Sequence, residues 1–376
     1  MRKLLYTILT LALLAALTSY GVWTRDRPGA HYLSDLRIQL AVDQGVPADH
    51  GNLLAIQPEL FPTDYQSTER LHRKLAAYLQ QARDQGLVND KTIVVLPEHV
   101  GTWLMVSGEK NELYQATSLK EAMNWLAVSN PLPFLKALLM AKGDSRLDDA
   151  HLRMKAKKMA KDYQQLFGGL AKEFHVTLVA GSIILPEPSV SQGNLQIGSG
   201  ALYNSSLVFG SDGLPIGQPQ RQIYPTYAES GYVQGDAKQT VQVIDTPAGR
   251  LGVLIGSDSW YPANYRKLDE QNAQLIAVPA FILGKDSWDK PWRGFKSITT
   301  PSEVSLKPEE ASEGDAWHRL TLTSRAPSSL AGAGASVFLR GQFWDQHSSG
   351  NSFINRNGQT FADEDARGAR LLNIWL

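Results

Sequence analysis

The chain has 376 residues, with 37 Lys+Arg against 37 Asp+Glu, 43% hydrophobic residues and no cysteine. A formal net charge of zero supplies no field to draw the chain onto nucleic acid. The missing thiols exclude disulfides, cysteine-ligated zinc, iron–sulfur clusters and thiol catalysis, while the apolar content is ample for a large core in one or two domains.

Arg2-Lys3 opens a segment, 1–23, that continues as an uncharged apolar run from Leu4 to Trp23. A helix of roughly 20 such residues rises about 30 Å, enough to cross a bilayer, and the leading positive charges favour a cytoplasmic N-terminus with the rest of the chain extracytoplasmic, periplasmic or extracellular. A cleaved signal peptide is the alternative, with Ala16-Leu17-Thr18 as a weak small-x-small site and a secreted product. A lipoprotein anchor is excluded for want of a cysteine. Residues 24–50 read as a polar linker with a turn at Arg25-Asp26-Arg27-Pro28-Gly29, and the folded domain is expected over 51–376.

Within that domain, Leu53 to Ile56 reads as a short strand, and Leu71, Leu75, Tyr78, Leu79 and Ala82 predict a helix over 67–85 that Gly86 stops. Thr92 to Leu96 is a β-branched apolar run expected of a strand covered on both faces, delivering Glu98 at its end. The stretch 106–150 predicts one or two extra helices as an insertion, followed by a long helix over 147–174 and a strand over 176–184. Further strands are expected at 200–209, 239–245, 251–255, 275–278 and 337–339, with turns at Ser211-Asp212-Gly213, Pro247-Ala248-Gly249 and Arg356-Asn357-Gly358. Helices are expected over 263–271 and 316–325, with a Trp-rich loop at 285–314. This alternation of strands and helices, interrupted by hairpins, implies mixed sheets with helices outside, an α/β class.

Three blocks resemble the nitrilase superfamily of carbon–nitrogen hydrolases: Val94-Val95-Leu96-Pro97-Glu98, Arg221-Gln222-Ile223-Tyr224-Pro225-Thr226-Tyr227-Ala228-Glu229, and Ile255-Gly256-Ser257-Asp258-Ser259-Trp260-Tyr261-Pro262. Supporting segments occur in the family's order, among them Val179-Ala180-Gly181-Ser182, Leu202-Tyr203-Asn204-Ser205-Ser206, Ile276 to Phe281, Ala316-Trp317 and Arg325-Ala326. The resemblance implies a four-layer α-β-β-α sandwich, assembly as a homo-oligomer, no organic cofactor and no metal. It further implies a glutamate base, an oxyanion-stabilising lysine and a cysteine nucleophile. Only the glutamate is kept, as Glu98; the lysine position is Gln222 and the cysteine position is Gly256. Glu229 matches a second glutamate that orders the site.

A glycine cannot form a covalent intermediate, and a neutral amide brings no full positive charge to an oxyanion. Ser257 is the nearest substitute nucleophile, but one residue along a strand end reverses the side chain's direction, and an alcohol needs stronger activation than a thiol. The eight histidines show no His-x-x-x-His or Glu-x-x-His spacing, so no metal is expected. Glu229, Asp258 and Trp260 are candidate binding or ordering residues. The leading expectation is a membrane-anchored, catalytically inactive homologue that binds a small amide- or acyl-like ligand or a partner protein. Two alternatives stand beside it: a hydrolase of carbon–nitrogen or ester bonds using Glu98 with Ser257 or water, and a cell-envelope scaffold.

Overall fold

The computed structural model describes residues 2–27, 32–236, 241–295, 301–322, 331–363 and 368–376. Pro28-Gly29 of the expected linker, Gln239-Thr240 of the expected strand and Arg325 of the expected helix, with Ala326 of the supporting Arg325-Ala326 segment, lie outside the described residues.

The apolar N-terminal run forms one helix, α1 (Arg2–Arg25), with no buried residue. Then come β1 (Ile38–Gln44), β2 (Asn52–Gln57) and the two-residue β3 (Glu59–Leu60). The helix α2 (Thr68–Asp84) starts where the Ser67 hydroxyl accepts a hydrogen bond from the Arg70 amide at 3.2 Å and ends before Gly86, whose φ of +76° suits glycine. After β4 (Thr92–Val95) the insertion holds α3 (Asn111–Gln115), α4 (Leu119–Ser129) and α5 (Pro131–Met140), which lead into the long α6 (Arg146–Phe174). The strands β5 (Thr177–Val179) and β6 (Ile183–Pro186), the small hairpin β7 (Ser189–Ser191) and β8 (Asn194–Gln196), then β9 (Leu202–Phe209) and β10 (Pro215–Arg221) complete the first half. The second half runs β11 (Val243–Thr246), β12 (Gly249–Val253), α7 (Pro262–Glu270), β13 (Leu275–Ala280), α8 (Glu313–Leu320) and β14 (Ala333–Phe338). It closes with the hairpins β15 (Arg340–Phe343) with β16 (Gln346–Ser349) and β17 (Phe353–Arg356) with β18 (Gln359–Ala362), then β19 (Ala369–Trp375).

Two mixed sheets carry the architecture. One has the order β1-β19-β2-β4-β5-β9-β10 with β6 also on β9, and the other β11-β12-β13-β14-β17-β18. Side chains alternate along each strand, and the alternation sorts them into three cores. Leu53, Ala55, Ile93, Val95 and Val179 face Leu251, Val253, Ala277, Ala335 and Val337 between the sheets. Leu54, Ile56, Val94 and Leu178 turn the other way, onto α2 and α6 through Leu71, Leu75, Met159 and Phe167. Leu254, Ile276 and Val278 pack against Tyr265 and Leu268 of α7 and Trp317 of α8. The result is the four-layer α-β-β-α sandwich of the nitrilase-like fold.

The structure corrects several expectations. Residues 24–50 are not all linker, because β1 joins the sheet in parallel with β19, so the folded domain begins before residue 51. The strand expected over 176–184 is broken at Gly181, which takes φ +62°. The helix expected to reach Arg325 stops at Leu320. Gly256–Trp260 is a 3₁₀ turn rather than a strand end, so the alternation argument used for Ser257 does not apply there.

Candidate functional site

The three motif positions converge from both sheets. Glu98 follows β4, Gln222 follows β10, and Gly256 opens the 3₁₀ turn after β12. All three are buried, Glu98 at 4% exposure. Asn204 of β9 joins them: its Nδ2 donates to Glu98 Oε1 at 2.8 Å and to Gln222 Oε1 at 3.2 Å. Gln222 Nε2 donates at longer range to Glu98 Oε1, 3.4 Å, and to the Ile255 carbonyl, 3.5 Å. A neutral polar cluster thus occupies the place that a lysine would charge.

Gly256 decides what the site lacks. It adopts φ +52°, and a Cβ built on it would lie 2.8 Å from Glu98 Oε2 and 3.1 Å from Oε1. The Glu98 carboxyl therefore stands against the position from which a nucleophilic side chain would start. Close approach of a carboxyl to bare backbone is a use of glycine that any other residue would disturb.

Burial pushes the Glu98 carboxyl up to about 8; His99 opposes the shift, Glu229 adds to it, and the Asn204 hydrogen bond opposes it. His99 sits at φ +62° immediately after it, with Nε2 3.0 Å from Glu229 Oε1 and 3.8 Å from Glu98 Oε1. Burial lowers the His99 pKa, but Glu229 and Glu98 outweigh it and the net shift is upward. Glu229 moves the opposite way: burial raises it, yet the His99 hydrogen bond and charge and the Thr226 hydroxyl, 2.8 Å away, leave it below the ordinary range. One imidazolium–carboxylate pair beside one neutral acid is the arrangement these shifts describe. Glu98, His99 and Glu229 also offer one ligand atom each within 4.8 Å of one another, a spacing that suits a metal ion. The expectation of no metal rested on spacing in sequence, whereas the fold brings Glu229 from a second loop onto the adjacent pair Glu98-His99.

The remaining candidates are sorted by what they touch. Ser257 Oγ donates to the Tyr224 carbonyl at 3.1 Å and Ser259 Oγ to the Gly256 carbonyl at 2.8 Å, so both hydroxyls serve the backbone. Asp258 accepts from the Ile223 amide at 2.9 Å and the Tyr224 amide at 2.8 Å, which ties the segment after Gln222 to the Gly256 turn. Burial raises its carboxyl to about 7 although those two amides favour the charged form. Trp260, a candidate binding or ordering residue, is fully buried against Trp292, Phe295 and Trp317. Trp292, within the Trp-rich loop, turns its ring into the same core.

Beside the cluster opens a cavity of about 200 Å³, lined by His99, Trp103, Met123, Leu152, Phe281 and Phe343. Its wall is mostly apolar and comes from the insertion helices and the segments after β13 and β14. Sequence reading missed His99, Asn204 and this cavity. Asn204 lies in a block quoted for resemblance alone, and its parity with the apolar Leu202, opposite to Tyr203, along β9 is the signal that would have turned it inward.

Residues 54–327 match the family model described as Carbon-nitrogen hydrolase. The chain belongs to that family. It is 28% identical over 138 residues to the "Deaminated glutathione amidase" of Yersinia enterocolitica, covering 34% of this chain and 45% of that one. It is 27% identical over 119 residues to the "Probable hydrolase YhcX" of Bacillus subtilis (strain 168), covering 32% and 21%. The matched stretch therefore spans less than half of either curated relative. Among solved structures, the amidase from Nesterenkonia sp. superposes with a TM-score of 0.51 at 14% identity, covering 88% of this chain and 92% of that one. An active-site mutant described as Nesterenkonia AN1 amidase from the nitrilase superfamily gives 0.51 at 13%. At such identities the superposition speaks for the fold.

Proposed function

We propose that this carbon–nitrogen hydrolase family member is anchored by α1 in a membrane, with its domain on the extracytoplasmic side, and binds a small amide- or acyl-like ligand without covalent turnover. The observation that carries this reading is Gly256, whose bare Cα lies against the Glu98 carboxyl where the family places its thiol. Without a nucleophile, and with Gln222 for lysine, neither step of acyl transfer has its group. What is kept suits recognition. A neutral Glu98 can donate its O–H to a ligand carbonyl, and Asn204 Oδ1, buried and without a hydrogen-bond partner among the described residues, is an acceptor for an N–H. The adjacent apolar cavity holds a substituent. The anchoring part rests on the length and apolarity of α1, 24 residues with none buried against the rest of the protein.

The test is hydrolysis by the full chain in detergent across nitriles, amides and esters, with Glu98→Gln alongside and Gly256→Cys combined with Gln222→Lys as a reconstruction. No turnover in the natural chain, with turnover in the reconstruction, supports the reading. Turnover in the natural chain that Glu98→Gln abolishes overturns it and establishes a hydrolase.

A further inference from the structure

Among the described residues of the folded domain, exposed apolar side chains gather on α5. Its sequence, PLPFLKALLM, turns Ala137 inward, yet the outward positions are apolar as well: Leu132 is 78% exposed, Leu135 55%, Leu139 77% and Met140 42%. Val128 near the end of α4 is also exposed, at 47%. The inward side is anchored, with Phe134 stacked on His151 of α6 at 4.9 Å and the Arg146 guanidinium donating to the Leu138 carbonyl at 2.9 Å. This helix is held in place by its inner face, so the outer face is not exposed through looseness. A patch of this kind marks a surface that meets something apolar.

The position of the patch identifies the partner. The C-terminal end of α1 is fastened to the root of the α4–α5 hairpin. The Tyr20 hydroxyl donates to the Val128 carbonyl, Trp23 packs against Trp125 with ring centroids 6.3 Å apart, and Arg27 donates to the Ser129 carbonyl at 3.1 Å and to Asn130 Oδ1 at 3.2 Å. Tyr20 and Trp23 are the side chains that settle at the headgroup level of a spanning helix. The α5 face thus begins at the depth where α1 leaves the bilayer. At ten residues α5 rises about 15 Å, too short to span and suited to lie in the interface plane, with exposed Lys136 reaching toward headgroups.

We infer that the α4–α5 hairpin is a second membrane contact, its Leu132–Leu135–Leu139 face inserted among the lipids of the bilayer that α1 crosses. Met123 of α4 and His151 and Leu152 of α6 line the apolar cavity, so this contact sets the cavity wall against the lipid surface. The inference rests on the anchoring of α1.

The absence of native cysteine makes one experiment decisive. The full chain is reconstituted in vesicles of phosphatidylcholine with phosphatidylglycerol and nitroxide-labelled singly at Leu135→Cys, Leu139→Cys, Leu11→Cys in α1 and Ser211→Cys on a turn. Collision with oxygen, which concentrates in lipid, is compared with collision with a water-soluble nickel chelate. The expected result is an oxygen-to-nickel ratio at 135 and 139 raised above that at 211 toward that at 11. A high ratio at 11 with 135 and 139 matching 211 overturns the second contact while leaving the anchor standing. Low collision with both reagents at 135 and 139, with dipolar broadening, assigns the face to a second copy and also overturns it. A low ratio at 11 removes the anchor and the contact together.

Discussion

At Gly256 two penalties coincide for any side chain: a left-handed backbone at φ +52° and a carboxyl oxygen 2.8 Å from the Cβ position. Gly256→Ala is expected to cost about 1–3 kcal/mol, read by denaturant unfolding, since both strain and displacement contribute. Because the clash is with Glu98, the cost in a Glu98→Ala background should shrink by at least about 0.5 kcal/mol, the signature of directly coupled neighbours. The same carboxyl makes stability pH-dependent. Its folded pKa, about 8, lies above its unfolded value, so the folded state holds more protons and stability falls as pH rises between the two. His99, also raised, loses its proton in the same direction, and Glu229, lowered, acts only below the ordinary carboxylate range. Melting temperature should therefore decline from about pH 5 to pH 8, and more shallowly in Glu98→Gln; equal slopes would show that Glu98 is already charged. Glu98 was legible in sequence because a strand, a proline and a glutamate occur together. Its partners were not, since Asn204 and His99 reach it only once β9 has paired beside β5 and β6 and the loop after β4 has turned.

Among the elements, the insertion is held by one buried carboxylate. Glu109 pairs with Arg27 and Lys155 and accepts from Asn130 Nδ2 at 2.9 Å and Ser129 Oγ at 3.2 Å, tying α1, α4 and α6 together. Burial lowers the Lys155 pKa and Glu109 opposes that. Glu109→Ala strands the lysine in that setting and should cost about 3–5 kcal/mol in unfolding measurements. Adding Lys155→Met should restore much of it, whereas a loss equal in both backgrounds would deny the pairing. A second element-level hinge is Gly181, where a Cβ would fall 2.0 Å from the Pro97 carbonyl. Gly181→Ala should shift Pro97 and Glu98, detectable as a changed pH slope of stability rather than a simple drop. Helices with strong periodicity, α2 and α6, were readable to within a residue or two of their ends. The insertion resolved into three helices where one or two were expected, because Asn130 with its following prolines breaks an otherwise continuous apolar pattern.

Across the whole molecule, the inter-sheet core joins two sheets that the chain does not build separately, since β19 returns from the second half to lie between β1 and β2 of the first sheet. Leu53 is fully buried there, between the sheets, and Leu53→Ala should cost about 2–5 kcal/mol. If the two sheets unfold as one, Trp fluorescence, to which the Trp260–Trp292–Trp317 cluster contributes, and far-ultraviolet circular dichroism will report the same denaturant midpoint. Separated midpoints would mean that the sheets fail independently. The layered class was legible from strand–helix alternation and ordered motifs. The edge strand β1 and the closing β19 were not, since their pairing is with each other across more than three hundred residues. With only Ile38 and Val42 buried and a register shift between Leu40 and Val42, β1 carries little local pattern.

The fastening of α1 to the insertion bears on how the domain is presented. Lys110 lies over the Trp23 ring at 4.3 Å and donates to the Asp26 carbonyl, adding to the Arg27 and Tyr20 contacts. In the membrane-anchored reading the domain is bolted to its post and does not swing from it as from a Gly/Ser tether. Height and bearing above the bilayer are then fixed by the tilt of a single helix, so ligands and neighbours approach from a constant angle, and lengthening the segment after α1 would not extend the domain's reach.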